Sequence, residues 1–260
     1  MILPRLIPVL SLDRRQLVKT LQFADPKYIG DPINAVRIFN EKEVDELILL
    51  DITASTQNRS PDISFISQIG SEAFMPFAYG GGITSIQQIK AILRAGAEKV
   101  SINTSAIHNP SLVKEAVDMF GSQSIIGAID IKRHSSQPQY HVYLQSGKQD
   151  THKDPIDHAK FLVDLGVGEI FLNSIDHDGK MDGYHLELIQ TIASSIPIPL
   201  IACGGAGDLE DFGKVVKAGA SAAAAGSYFE FCGSRDAILI TYPDRDEIQS
   251  VFDFSNNKIQ

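Results

Sequence analysis

Short apolar runs alternate with amphipathic segments along the whole chain. The runs Leu6–Ser11, Leu47–Asp51, Phe74–Tyr79, Lys99–Asn103, Ser124–Asp130, Glu169–Ser174, Ile198–Cys203 and Ala222–Gly226 have the length and apolar character of strands covered on both faces. Between them, segments such as Pro32–Glu43, Ser85–Ala95, Pro110–Phe120, Pro155–Leu165 and Leu209–Ala218 read as helices. Strands that alternate with helices form βαβ units, hence a parallel sheet with helices outside it. Eight such units predict an α/β fold, a closed (β/α)8 TIM barrel.

The second half of the chain echoes the first. Val44–Leu49 matches Val167–Leu172, Ala78-Tyr79-Gly80-Gly81 matches Ala202-Cys203-Gly204-Gly205, and Ala95-Gly96-Ala97 matches Ala218-Gly219-Ala220, all at an offset of 123 or 124 residues. Leu6–Ser11 aligns with Ile125–Asp130 at a slightly smaller offset. A duplicated half-barrel explains an ordered set of matches and predicts two-fold pseudosymmetry in the site. The expected organisation is one barrel over residues 1–260, with repeats at about 1–120 and 121–230 and a divergent tail at 231–260.

Length fits this, since barrels of the kind run to about 250 residues as one domain. Hydrophobic residues make up 43% and charged residues 21% of the 260, enough for a sizeable core. A net charge of −9 disfavours nucleic acid or an anionic membrane as the main partner. Two cysteines, Cys203 and Cys232, make no disulfide framework and suit a reducing cytosol. The apolar start is broken by Pro4, Arg5 and Pro8, so it reads as a strand rather than a signal peptide, and no run of 18 apolar residues occurs. A cytoplasmic protein is expected.

Candidate chemistry gathers at strand ends. Gly80-Gly81-Gly82 follows the third strand and Gly204-Gly205-Ala206-Gly207 the seventh. Glycine lets backbone approach a ligand closely and leaves N–H groups free for an anion. The fourth and eighth strands run into Asn103-Thr104 and Gly226-Ser227, repeat-related hydroxyls at the end of the barrel where active sites lie. Each half thus offers a glycine loop and a hydroxyl, which predicts two phosphate sites for a phosphorylated small molecule. Seven histidines without tight spacing give no metal site, with His134, His141, His152 and His158 read as surface residues. Cys203 reads as a small buried strand residue. No cofactor is implied.

The motifs Arg5-Leu6-Ile7-Pro8, Val18-Lys19, Gly30-Asp31-Pro32, Asp45-Glu46-Leu47, Leu50–Ala54, Gly80–Ile83, Lys99–Thr104, Ser174–Gly179 and Gly204–Gly207 resemble the cyclase subunit (HisF) family of imidazole glycerol phosphate synthase. The resemblance covers residues 1 to about 230. It implies a barrel that binds a nucleotide-like bisphosphate and accepts ammonia from a glutaminase subunit of the HisH type. Matched by motif, it places phosphate binding at Gly81, Gly82, Asn103, Thr104, Asp178, Gly179, Gly204, Gly205, Gly226 and Ser227. An ammonia gate of four charges falls on Arg5, Glu46, Lys99 and Glu169, at the opposite end of the barrel where the glutaminase docks.

The family's acid–base pair is two aspartates, at the ends of strands one and five. Here strand five keeps Asp130, but strand one ends in Ser11, and Asp13 falls beyond the strand in the following loop. A serine is no base near neutral pH unless activated, and one missing acid or base costs ~10²–10⁴ in rate. Lys19, in the loop after strand one, is the other polar candidate. Asn173 and Lys180 also depart from the pattern, and the tail Gly233–Pro243 is foreign to the histidine-pathway cyclase. The tail and the Leu17–Thr20 and Tyr28–Arg37 stretches resemble a paralogous branch that accompanies a glutaminase and a sugar amidotransferase in acetamidino modification of surface-glycan sugars. The leading expectation is a HisF-type subunit supporting amination or amidination of a glycan sugar. An imidazole glycerol phosphate cyclase, the related phosphoribosyl formimino isomerase, and a non-catalytic ammonia conduit stand as alternatives.

Overall fold

A computed structural model describes residues 4–134, 139–232 and 237–252. Eight parallel strands close on themselves: β1 (Arg5–Asp13), β2 (Leu47–Asp51), β3 (Phe77–Gly80), β4 (Lys99–Ile102), β5 (Ile125–Arg133), β6 (Glu169–Ser174), β7 (Leu200–Cys203) and β8 (Ala222–Ala225). Each pairs with its sequence neighbours, and Arg5↔Ala222 through Pro8↔Ala225 joins the last strand to the first. Helices connect the strands on the outside, so the fold is the (β/α)8 barrel.

Alternation along each strand sorts its side chains into two cores. Leu6, Leu10 and Leu12 of β1 face the helices, with partners such as Phe39, Ile66, Ile89 and Phe212. Ile7 and Val9 face the barrel axis with Ile48, Ala78, Ile126, Ala128, Phe171, Ile201, Ala222 and Ala224. The helix starts follow from sequence: Asp31, Asp62, Ser85, Asp154 and Asp208 each cap the backbone N–H groups that follow. Among the described residues no helix is long and apolar enough to cross a membrane.

Several strand bounds differ from those expected. Phe74, Met75 and Pro76 precede β3, and Phe74 is 90% exposed; β7 starts at Leu200, after Pro197 and Pro199. Asp13 does not lie beyond β1 but is its last residue, because β1 runs on into an antiparallel hairpin with Gln16–Leu21. That segment pairs in turn with Ala24–Gly30, through a two-residue turn whose Gln22 and Phe23 both have positive φ. A second hairpin extends β5 into Tyr140–Leu144, which pairs with Gln149–Asp150. The tail is part of the barrel wall: helix Arg245–Phe252 packs on helix Leu209–Lys217, and Phe252 is buried. Residues 233–236 and 253–260 of the expected tail lie outside the described residues.

Candidate functional site at the barrel mouth

The period of two that builds the barrel also carries its chemistry. On β1 the same face presents Arg5 at one end, Ile7 and Val9 in the middle, and Ser11 at the other end. Glu169–Phe171–Asn173 on β6 repeats that progression in full, while Glu46 and Lys99 add charges at the lower end and Asn103 and Asp130 add polar groups at the upper end. The barrel interior is therefore charged below, apolar in the middle and polar above.

The lower layer is a closed ring of ion pairs. Arg5 bridges Glu46 (Nη1–Oε2 2.5 Å) and Glu169 (Nη2–Oε1 2.6 Å), and Lys99 bridges the same two carboxylates at 2.9 and 3.0 Å. All four expected gate residues meet here, with alternating signs, so each charge has two opposite neighbours. That compensates the desolvation of Glu46, which is only 3% exposed.

The upper end opens into one cavity that gathers every expected catalytic and phosphate-binding position: Ser11, Lys19, Gly81, Gly82, Asn103, Thr104, Asp130, Asp178, Gly179, Gly204, Gly205, Gly226 and Ser227. The pseudosymmetry is visible in the backbone. Gly81 has φ +118° and Gly205 +117°, and a Cβ on them would lie 2.4 Å from the Asp51 carbonyl and 2.0 Å from that of Gly183. Neither position accepts another residue, so sequence and geometry agree on a bare backbone facing the cavity. Asn103 and Gly226, just before Thr104 and Ser227, share nearly the same conformation (φ −111°, ψ −85° and φ −103°, ψ −75°). Ser227 Oγ is buried without a partner, as are Asn173 Oδ1 and Ser174 Oγ. Thr104 Oγ1 accepts a long hydrogen bond from Gln145 N at 3.4 Å.

Asp130 accepts a hydrogen bond from Asn103 Nδ2 at 2.7 Å. Burial, reinforced by the charge of Asp178 and only partly opposed by Asn103, pushes its pKa up to about 7. A carboxyl so placed exchanges protons near neutral pH. Ser11 is its counterpart at the end of β1, 9% exposed. Asp13, which shares the strand, does not take over that place: its carboxylate accepts from Thr53 Oγ1 at 2.7 Å and does not line the cavity.

Asp178 and Lys19 differ from the simplest expectation. The Asp178 carboxylate accepts from Lys19 Nζ (3.2 Å), Thr20 Oγ1 (2.8 Å) and Phe23 N (3.3 Å). It anchors the hairpin after β1; a carboxylate so engaged is a support for the cradle rather than a ligand for phosphate. Lys19 is not in an open loop but in a strand of that hairpin, 9% exposed. Burial lowers its pKa, but Asp178 and Glu230 outweigh this and hold it above the ordinary lysine value. A Cβ on Gly226 would lie 2.7 Å from Lys19 Nζ, so the ammonium sits against the Gly226-Ser227 cradle. Glu230, absent from the expected residues, is 1% exposed with neither carboxylate oxygen hydrogen-bonded, and burial raises its pKa to about 7. Its repeat equivalent is Ile107, so no symmetry signal pointed to it.

Cys203 is buried, and burial pushes its thiol up to about 12, as an inert strand residue requires. The histidines differ more. His158 is 3% exposed rather than a surface residue. His134 and His141 are brought beside Asp150 by the second hairpin, with the three donor atoms within 4.8 Å of one another, against the expectation of no metal-ligating group.

Fold and site together define a (β/α)8 barrel with a repeated glycine-and-hydroxyl cradle at its mouth and a four-charge plug at its base. A family model described as "Histidine biosynthesis protein" matches residues 5–234. A Pseudomonas aeruginosa protein with the provisional name imidazole glycerol phosphate synthase subunit hisF2 is 48% identical over 249 residues, 95% of this chain and 99% of that one. A Leptospira borgpetersenii protein, provisionally named as subunit HisF of the same synthase, is 44% identical over 253 residues, 97% and 100% of the two chains. The imidazole glycerol phosphate synthase subunit HisF of Leptospira biflexa is 42% identical over 228 residues, 87% and 89%. The chain belongs to the histidine-biosynthesis protein family, as a HisF-type synthase subunit.

Proposed function

We propose that this barrel is the ammonia-using subunit of a glutamine-dependent amidotransferase. In this reading a HisH-type glutaminase docks at the base, ammonia passes the Arg5–Glu46–Lys99–Glu169 ring, and a phosphorylated substrate is held at the mouth. The observation that carries it is one barrel axis with the charged ring intact below and both cradles intact above. Small inward side chains between them, Ala78, Ala128, Ala222 and Ala224, suit a narrow apolar passage for a neutral molecule.

At the mouth, the two glycine loops and Thr104 and Ser227 would hold phosphate groups on opposite sides, with the Lys19 ammonium beside the second. Asp130, poised near pH 7, would take the proton released when ammonia attacks an electrophilic carbon. Strand one offers no second carboxylate to the cavity, since Asp13 does not line it. That favours the addition of nitrogen to a sugar, with a sugar amidotransferase as a further partner, over a ring closure that needs an acid and a base. The span of similarity supports the same branch: alignments of 249 and 253 of the 260 residues must reach into the tail helix, whereas that with the Leptospira biflexa HisF covers 228.

The second reading, an imidazole glycerol phosphate cyclase, draws on the retained cradles and on Asp130. One experiment tests the ammonia route that both readings share, and a second separates them. Co-expression with a HisH-type glutaminase should yield a complex whose glutamine turnover is coupled to the barrel, and Lys99→Ala should leave the complex bound but uncoupled. No complex, or unaltered coupling in Lys99→Ala, would remove the ammonia route. With ammonium and the cyclase's bisphosphate substrate, the wild type should be slower than an active HisF by at least ~10². Ser11→Asp should recover part of the loss, whereas a full wild-type rate or rescue of a cyclase-deficient histidine auxotroph would favour the second reading.

A further inference from the structure

The hairpin that prolongs β5 beyond Asp130 carries a group of side chains for which the barrel-mouth chemistry has no use. Antiparallel pairing sets Lys132 opposite His141 and Tyr143 opposite Asp150, and His134 N donates to Gln139 O at 2.8 Å. His134, His141 and Asp150 thereby fall on one face of a three-stranded sheet. His141 Nδ1 lies 3.0 and 3.1 Å from the two Asp150 oxygens. The rings of His134 and His141 are 4.8 Å apart, centre to centre. All three residues are half-buried. His152, 75% exposed, brings Nδ1 to 3.5 Å from Asp150 Oδ2.

We propose that His134, His141 and Asp150 form a binding site for Zn²⁺, with His152 or water in the fourth position. Two imidazoles and a carboxylate are donors that zinc accepts at about 2.0–2.2 Å, whereas magnesium and calcium prefer all-oxygen shells. Tetrahedral zinc needs its donors roughly 3.3 Å apart, by geometry from those bond lengths. The donor atoms lie within 4.8 Å of one another, so modest side-chain rotation at this partly open surface closes the set around an ion. The carboxylate is already oriented: Tyr143 Oη donates to Asp150 Oδ2 at 3.3 Å, and His152 N donates to Oδ1 at 2.7 Å. Such supporting hydrogen bonds fix a ligand's direction before the metal arrives. The bound ion would tie the outer end of β5 to the returning strands of the hairpin and stiffen the wall that carries Asp130.

The experiment uses the full-length chain without an affinity tag, stripped with chelator, in titrations with Zn²⁺ and with Co²⁺ as a spectroscopic substitute. One equivalent of Zn²⁺ should bind at micromolar or tighter affinity, Co²⁺ should show the visible bands of a four- or five-coordinate site, and Zn²⁺ should raise the melting temperature. His134→Ala and Asp150→Asn should each weaken Zn²⁺ at least ~10²-fold while circular dichroism and elution volume stay those of the wild type. Tyr143→Phe, which keeps all three ligands, should weaken it roughly 10-fold. Absence of binding below about 100 µM, or tight binding that His134→Ala, Asp150→Asn and Tyr143→Phe all leave unchanged, would overturn the proposal. The second outcome would move the ion elsewhere, Cys232 being an exposed thiol.

Discussion

Asp130 is the group that the proposed function places at the reacting centre, and its environment gives two separable predictions. Its pKa is raised from 3.8 to about 7 by burial and by Asp178. In the unfolded chain the carboxyl ionises near pH 4, while the folded chain keeps its proton to about pH 7. Between those values the folded state binds the extra proton, so this group weakens the fold progressively as pH rises from about 4 to 7. Asp130→Asn removes that penalty and keeps an acceptor for Asn103. Its stability should match the wild type at pH 4 and exceed it at pH 8 by more than ~1 kcal/mol, because each tenfold weakening of an acid on folding corresponds to about 1.4 kcal/mol. Urea titrations at the two pH values measure this; a variant that is less stable at pH 8 would mean that the charged form is the favoured one. Activity should move the other way. The same variant should lose ~10²–10⁴ in rate, and the wild-type profile should show an ionisation near pH 7 that the variant lacks.

At the level of elements, one carboxylate gathers the far end of the hairpin after β1. Asp178 receives Lys19, Thr20 and Phe23 through its side chain and Gln22 N through its carbonyl at 2.9 Å. Asp178→Ala strands the buried Lys19 ammonium beside Glu230 alone. It should cost about 3 kcal/mol, the lower end for breaking a buried pair, and open the Gln16–Gly30 hairpin to proteolysis before global unfolding. Equal protection of wild type and variant would deny Asp178 its anchoring role. This hairpin also shows where sequence reading stops. Strands of the barrel were legible because burial on both faces leaves near-continuous apolar runs, and the cradles because only glycine fits at Gly81 and Gly205. The turn at Gln22-Phe23 carries none of the Asn-Gly chemistry that normally marks positive φ at two successive positions; tertiary bonds from Asp178 hold it instead. The His134–His141–Asp150 group was hidden for a related reason. Its members are spaced by 7 and 9 residues, and only the pairing register of a hairpin brings them together.

Across the whole molecule, the tail and the charged ring come close together at the base, and a division of labour between them is testable. The tail reaches the base of the barrel, where Tyr242 Oη donates to Leu6 O at 2.9 Å. Phe229 stacks with both Phe212 and Tyr242, at ring separations of 5.8 and 5.4 Å. Helix Arg245–Phe252 then covers the outer surface of helix Leu209–Lys217, where a Cβ on Gly213 would lie 2.7 Å from Val251 O. This tail supports the half of the barrel that carries the Gly226-Ser227 cradle, and none of its described residues lines the cavity. Phe252→Ala should therefore lower stability by about 3 kcal/mol, as expected for a fully buried aromatic, yet leave coupling to a glutaminase intact in molecules that remain folded. Lys99→Ala should do the reverse at the level of function: it leaves Glu46 and Glu169 with Arg5 alone, admits water to the plug, and uncouples the glutaminase. Measuring urea midpoints and glutamine-driven turnover for both variants separates the two roles. If Phe252→Ala uncoupled the complex as strongly as Lys99→Ala, the base and the tail would have to be one interface. The ring would then not act alone as the entrance.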